Sequence, residues 1–139
     1  MQAQRTVNVL LALLTVSLGG CGGATAPAAA VVGRYELRTV NGAPLPFIVA
    51  QSDTTKGELT DDQLTLNADG TFHDLEALRT TRGGSVTLWK AAYLGIYEST
   101  DASVQFTVTS PVGGGFAGAV SGTTLTITYP SGNTFVYSR

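Results

Sequence analysis

From Val32 onward, apolar and polar residues alternate along most of the chain. Tyr35 and Leu37 alternate with Arg34, Glu36 and Arg38, and Leu64 and Leu66 with Gln63, Thr65 and Asn67. Val104, Phe106 and Val108 alternate with Gln105, Thr107 and Thr109, and Leu125, Ile127 and Tyr129 with Thr124, Thr126 and Thr128. A period of two places each set on its own side of an extended strand, so every such segment predicts a half-buried strand with one apolar and one Thr-rich face. Turn residues separate the segments: Asn41-Gly42, Asp69-Gly70, Ser121-Gly122 and Pro130-Ser131-Gly132-Asn133. Asn-Gly and Asp-Gly suit tight hairpins because those positions often need φ > 0.

This rhythm predicts an all-β domain of about eight or nine short strands. Consecutive hairpins give an antiparallel up-and-down meander, and a meander of about eight strands closes most simply into a small barrel, which removes its exposed edges. An open sandwich is the competing arrangement. Two stretches are less determined. Between Asn41 and Thr60, Pro44 and Pro46 limit pairing. Between Ala77 and Tyr97 the apolar phase shifts: Val86, Leu88, Leu94 and Ile96 share one parity, and Trp89, Tyr93 and Tyr97 the other. Either a bulge lies between the two sets or that strand buries both faces.

The amino terminus follows another pattern. A short positive region ends at Arg5, and Val7 to Leu18 is an apolar run broken only by Asn8, Thr15 and Ser17. A bilayer span needs about 20 apolar residues, so this run reads as the hydrophobic region of a signal peptide over residues 1–20. Leu18-Gly19-Gly20-Cys21 follows and resembles a bacterial lipobox, in which the Cys is lipidated and becomes the new first residue. The resemblance implies a diacylglyceryl group and an N-acyl chain on Cys21, and more than one chain is what stable anchoring requires. Gly22, rather than Asp, follows the Cys, so nothing resembles an inner-membrane retention signal. The expectation is a bacterial envelope lipoprotein, on the outer membrane and facing the periplasm. Gly22 to Ala30 is small and uncharged and reads as a tether, reaching about 30 Å when fully extended, so that residues 21–31 precede a domain at 32–139.

Composition narrows the functions. The chain has 139 residues, 43% apolar and only 13% charged, with a net charge of -2. That is one domain's worth of sequence, and the charge is too small and of the wrong sign for a nucleic-acid surface. A lone Cys excludes an internal disulfide, and no Cys/His cluster could hold zinc. Without residues 1–20, seven Lys/Arg stand against ten Asp/Glu, so no basic patch adds to membrane binding.

Candidate chemistry is sparse. The single His, His73, precedes Asp74 and lies near Glu76, but alternation turns His73 to one face and both acids to the other. The group therefore reads as a solvated strand face rather than a metal site. Asp61-Asp62 beside a turn is a second acidic pair, and acid/base work by either pair would need a cleft that shifts their pKa values. Gly118-Ala119-Val120-Ser121-Gly122 is not a nucleophile elbow, and Pro111 to Gly115 lacks the Lys and the helix of a phosphate loop. It reads as a flexible hairpin, or a lip over a barrel mouth. The sequence supplies no catalytic set, metal or cofactor, and the expectation is a protein that is not an enzyme.

Taken in order, Gly33-Arg34-Tyr35-Glu36-Leu37, Asn41 to Phe47, the hairpin from Leu64 to Phe72, Gly95-Ile96-Tyr97 and the closing Phe135 to Arg139 resemble small lipocalin-like bacterial lipoproteins, over most of Val32 to Arg139. The resemblance implies a calycin-type barrel with a cup for a small apolar ligand. It maps the Gly-x-Trp of the first lipocalin strand onto Gly33-Arg34-Tyr35, with Tyr35 for the Trp, and the Arg that packs over that ring onto Arg139. The second lipocalin signature, a Thr-Asp-x-x-Tyr run, has no counterpart. If a cup is open, the expected ligand set is Tyr35, Leu37, Phe72, Phe106, Phe116, Ile127 and Phe135. The alternative is a filled barrel acting as an interaction or inhibitor module for an unknown protein partner, with Trp89, Tyr93 and Tyr97 as its contact set.

Overall fold

A computed structural model describes residues 28–111 and 113–139. The signal segment 1–20, Cys21 and residues 22–27 lie outside the described residues. The rest is strand and turn: β1 (Gly33–Val40), β2 (Ala43–Pro44), β3 (Phe47–Gln51), β4 (Thr55–Leu66), β5 (Thr71–Arg82), β6 (Ser85–Thr100), β7 (Ser103–Ser110), β8 (Gly115–Ser121), β9 (Thr124–Thr128) and β10 (Thr134–Ser138). All neighbours are antiparallel, and the order β1-β10-β9-β8-β7-β6-β5-β4 is closed by pairing of β1 with β4, Gly33 opposite Leu66 and Tyr35 opposite Leu64. The result is an eight-stranded closed barrel, with β2 and β3 added beside β1 and β4. The open sandwich does not form, because the β1–β4 pairing leaves the meander no free edge.

The turns follow their residues. Asn41 and Gly42 both have positive φ, 51° and 79°, as the two-residue turn after β1 demands. The Asn41 side chain also ties this turn to the β9–β10 connection, accepting from the Thr134 amide at 2.8 Å and donating to Asn133 at 2.8 Å.

One end of the barrel is packed shut. Tyr35, Leu64, Leu66, Phe72, Tyr97, Val104, Phe106, Leu125 and Ile127 are buried there, and Phe72 meets Phe106 edge to face at 5.4 Å. Gly95 sits opposite Phe72 in the β5–β6 ladder because any side chain would collide with the Phe72 ring and the Thr107 carbonyl. Residues 28–31 cap this end instead of belonging to a tether. Val31 is fully buried and its carbonyl accepts from the Tyr35 hydroxyl at 2.8 Å, while the Ala28 amide donates to Ser99 at 2.9 Å. The folded unit therefore begins at least four residues earlier than the alternation suggests, since a capping turn carries no period. Arg139 lies over the Tyr35 ring at 5.4 Å and donates to the carbonyls of Val32 and Ala30. Gly33 leaves the space for it, since a Cβ there would come 3.3 Å from the Arg139 side chain.

Beyond the barrel wall, β4, β5 and β6 continue as a projecting ribbon ending at Gly83-Gly84, with β3 along its edge. Here the sequence pattern resolves differently from either expectation. β6 pairs with β5 without interruption from Ser85 to Ile96, and its register shift against β7 at Leu94–Gly95 leaves the extra residue, Thr109, on β7, so no bulge in β6 separates its two apolar sets. Nor are both faces buried: Val86, Leu88, Leu94 and Ile96 are exposed along the outer side, and Trp89 is exposed on the other.

Candidate functional site in the barrel mouth

The inward row of β5 continues from Phe72 through Asp74 to Glu76, and that of β4 from Leu66 and Leu64 to Asp62. Cross-strand register sets Leu64 opposite Asp74 and Asp62 opposite Glu76. A bulge precedes Asp62: the ladder steps from Leu59–Leu78 to Asp61–Ala77, leaving Thr60 unpaired, with its hydroxyl donating to the Ala77 carbonyl at 3.0 Å. That extra residue lets Leu59 and Asp62 both turn inward, a typical use of a bulge.

Three carboxylates thus meet inside the barrel, with one oxygen from each of Asp62, Asp74 and Glu76 within 4.8 Å of the others. Asp62 is 0% and Asp74 4% exposed. The solvated strand face expected for Asp74 and Glu76 is found only on the His73 side, which is exposed. Alternation separated His73 from the acids correctly, but the acids lie on the face of Phe72, which is the interior.

No cation among the described residues of the wall balances this charge. Among the described residues the ion pairs are Arg38–Glu36, Lys56–Glu58 and Arg79–Glu58, all outside the cluster. Glu58 shows the contrast: hydrogen bonds from Arg79 and Lys56 pull its carboxyl down to about 2. Inside the barrel Tyr137 donates to the acids, its hydroxyl giving a 2.8 Å bond to Asp62 Oδ2. Asp62 Oδ1 and Asp74 Oδ1 are buried without a donor when both groups are ionised.

Burial therefore favours the protonated acids. It pushes Asp74 up to about 10, helped by a hydrogen bond to Asp62 and by the charges of Asp62 and Glu76. Burial, then the charge of Asp62, pushes Glu76 up to about 7, and burial raises Asp62 as well. A proton on Asp74 turns that group into a donor toward Asp62 and meets the need of the orphan oxygens. The phenols of Tyr93, Tyr129 and Tyr137 are raised too, first by burial and then by the neighbouring carboxylates.

The cluster opens into a cavity of about 430 Å³ lined by Asp74, Glu76, Tyr93, Val108, Pro111, Gly113, Gly114, Gly115, Phe116, Tyr129 and Pro130. The β7–β8 connection thus forms part of its rim, in the place expected of a lip. The Phe116 and Tyr129 rings lie 4.8 Å apart in the wall. Of the expected ligand set, Phe116 lines this cavity and Phe135 an adjoining hollow with Glu76 and Tyr129. Tyr35, Leu37, Phe72, Phe106 and Ile127 are core residues. The contact set of the alternative reading does not form one patch: Trp89 is exposed on the ribbon, Tyr93 lines the cavity, and Tyr97 is buried with its hydroxyl donating to the Asn67 carbonyl at 2.6 Å. Sequence reasoning missed Asp62, Asp74, Glu76, Tyr93 and Tyr129 as a site. The available signal was parity, since the acids continue the inward rows of Phe72 and Leu64.

The cluster can hold protons above the usual carboxylate range, and it can attract positive charge. The three carboxylates are also a group that could ligate a metal ion, while much of the remaining wall is apolar. No protein-family model, curated protein or solved structure matches the chain.

Proposed function

We propose that the chain is a lipid-anchored protein of the bacterial envelope whose barrel takes up a small molecule through its open end. The observation that carries this reading is the cavity of about 430 Å³ in the barrel mouth, within the range of small-molecule sites. An eight-stranded barrel is just wide enough either to fill with side chains or to hold one small ligand, and this one does the first at one end and leaves room for the second at the other. The cavity weighs against the alternative of an interaction module with a filled barrel. What favours that alternative is the exposed aliphatic row on β6.

The lipobox-like Cys21 supplies the anchor in this reading, and the geometry of the folded part suits it. Ala28 lies at the packed end beside Ser99, whereas Gly113 to Gly115 and Pro130 rim the opposite end. An anchor at Cys21 would hold the packed end toward the bilayer and leave the mouth facing water.

Two arms of one experiment on the full chain test this. Expressed in a bacterium, the protein is expected in the membrane fraction, labelled by fatty acid, and Cys21→Ser is expected to lose the label and become soluble. Native mass spectrometry of the extracted protein is expected to show a small molecule bound one to one. An unlabelled, soluble wild type would contradict the anchor, and uptake of no compound from a broad small-molecule panel would contradict the pocket.

A further inference from the structure

The cavity has a chemical character as well as a size. Resting on the pocket reading, we propose that the mouth of the barrel binds an organic ammonium ion, its charged head against Asp74 and Glu76 and its apolar body between Tyr93, Phe116 and Tyr129. Three carboxylates share the interior without a Lys or Arg partner among the described residues. Asp74 faces the cavity at 4% exposure, with Oδ1 lacking a donor when the group is ionised. A buried acid of this kind is costly unless something positive or donating reaches it. A proton is the smallest answer, and the cavity has room for a larger one.

The rest of the wall selects among cations. An ammonium group offers N–H donors to the carboxylates, and aromatic faces attract cations as well as apolar bodies. A bare divalent ion would gain nothing from the apolar side chains of Val108, Phe116 or Pro130, which an organic cation can cover. An anionic ligand would meet the acids directly. Because the acids are partly protonated near neutrality, entry of a cation lowers their pKa values and expels protons. The groups that face Glu76 and Asp74 are Asp62 from β4, Tyr93 from β6, Tyr129 from the connection just after β9 and Tyr137 from β10, and none is basic.

Calorimetry on the detergent-extracted full chain tests this with three probes of one shape: tryptamine, its neutral analogue tryptophol and the anionic indole-3-propionate. Tryptamine is expected to bind about 30-fold more tightly than tryptophol, the scale of one charge-assisted contact, and to release protons, seen as a heat that varies with the buffer. Indole-3-propionate is expected not to bind. Glu76→Gln and Asp74→Asn are expected to bring tryptamine down to the level of tryptophol while tryptophol binding persists, which also shows that the variants fold. Equal binding of tryptamine and tryptophol would overturn the cation preference and leave the pocket reading standing. Binding of calcium or manganese alone, with none of tryptamine, would overturn the organic class. Binding of none of the probes, alongside a negative mass-spectrometric screen, would overturn both.

Discussion

Asp74 and Glu76 make the barrel's stability depend on pH in a direction opposite to that of a salt-bridged carboxylate. In the folded state they keep their protons up to about pH 10 and about pH 7, whereas an unfolded chain releases carboxyl protons near about pH 4. Between those values the folded state binds more protons than the unfolded one, so stability falls as pH rises. Their contribution is complete below the unfolded value; the part from Glu76 fades by about pH 7 and that from Asp74 continues toward about pH 10. Glu58 has the opposite sign, since its carboxyl is held at about 2 and its contribution is lost only as the pH falls toward that value. The thermal midpoint is expected to decline from roughly pH 5 to pH 9. Asp74→Asn, which keeps the shape and a donor, is expected to flatten the curve above neutrality, and Glu76→Gln to flatten it below. A midpoint that climbs across this interval in the wild type would contradict the burial of these acids.

At the scale of elements, what was legible in the sequence is what the barrel wall imposes. β1, the β4–β5 hairpin at Asp69-Gly70, β7, β9 and β10 each have one face in the core and one in water, and their residues alternate accordingly. The pattern failed from Asn41 to Thr60 and from Ala77 to Tyr97 for a physical reason: most of these residues build β2, β3 and the ribbon that runs past the barrel, and only a few of them, such as Leu59 and Tyr97, reach the core, too few to enforce a period. The acids were missed because a polar residue on an inward row looks, in composition, like a solvated one; only the continuation from Phe72 and Leu64 reveals its side. Close packing at the shut end gives a sharp element-scale test. Gly95→Ala would press a methyl group into the Phe72 ring and the Thr107 carbonyl, whereas a Cβ at Gly114 meets nothing within 4 Å. The first substitution is expected to cost about 1–3 kcal/mol or more in denaturant unfolding and the second close to none. Equal effects would show that β5, β6 and β7 are not packed as described.

For the whole molecule, the arrangement divides one short barrel into two halves with different tasks. The half next to Ala28 is sealed by aromatic packing and by Arg139 over Tyr35. The other half holds three acids, three phenols and an open rim. A cup lined only with apolar residues, as the lipocalin resemblance implies, would place Phe72, Phe106 and Ile127 around a ligand; here those residues are packed in the core, and the cavity is lined in part by acids. The most direct test of the central claim, that this mouth is a binding site, is an amide chemical-shift map of the full chain titrated with tryptamine and with tryptophol. Shifts are expected at Gly113 to Gly115, Tyr93, Phe116 and Tyr129, with the turns at Asp69-Gly70 and Ser121-Gly122 unmoved. Shifts confined to the outer row of Val86, Leu88, Leu94 and Ile96, or no saturable shift with either compound, would contradict it.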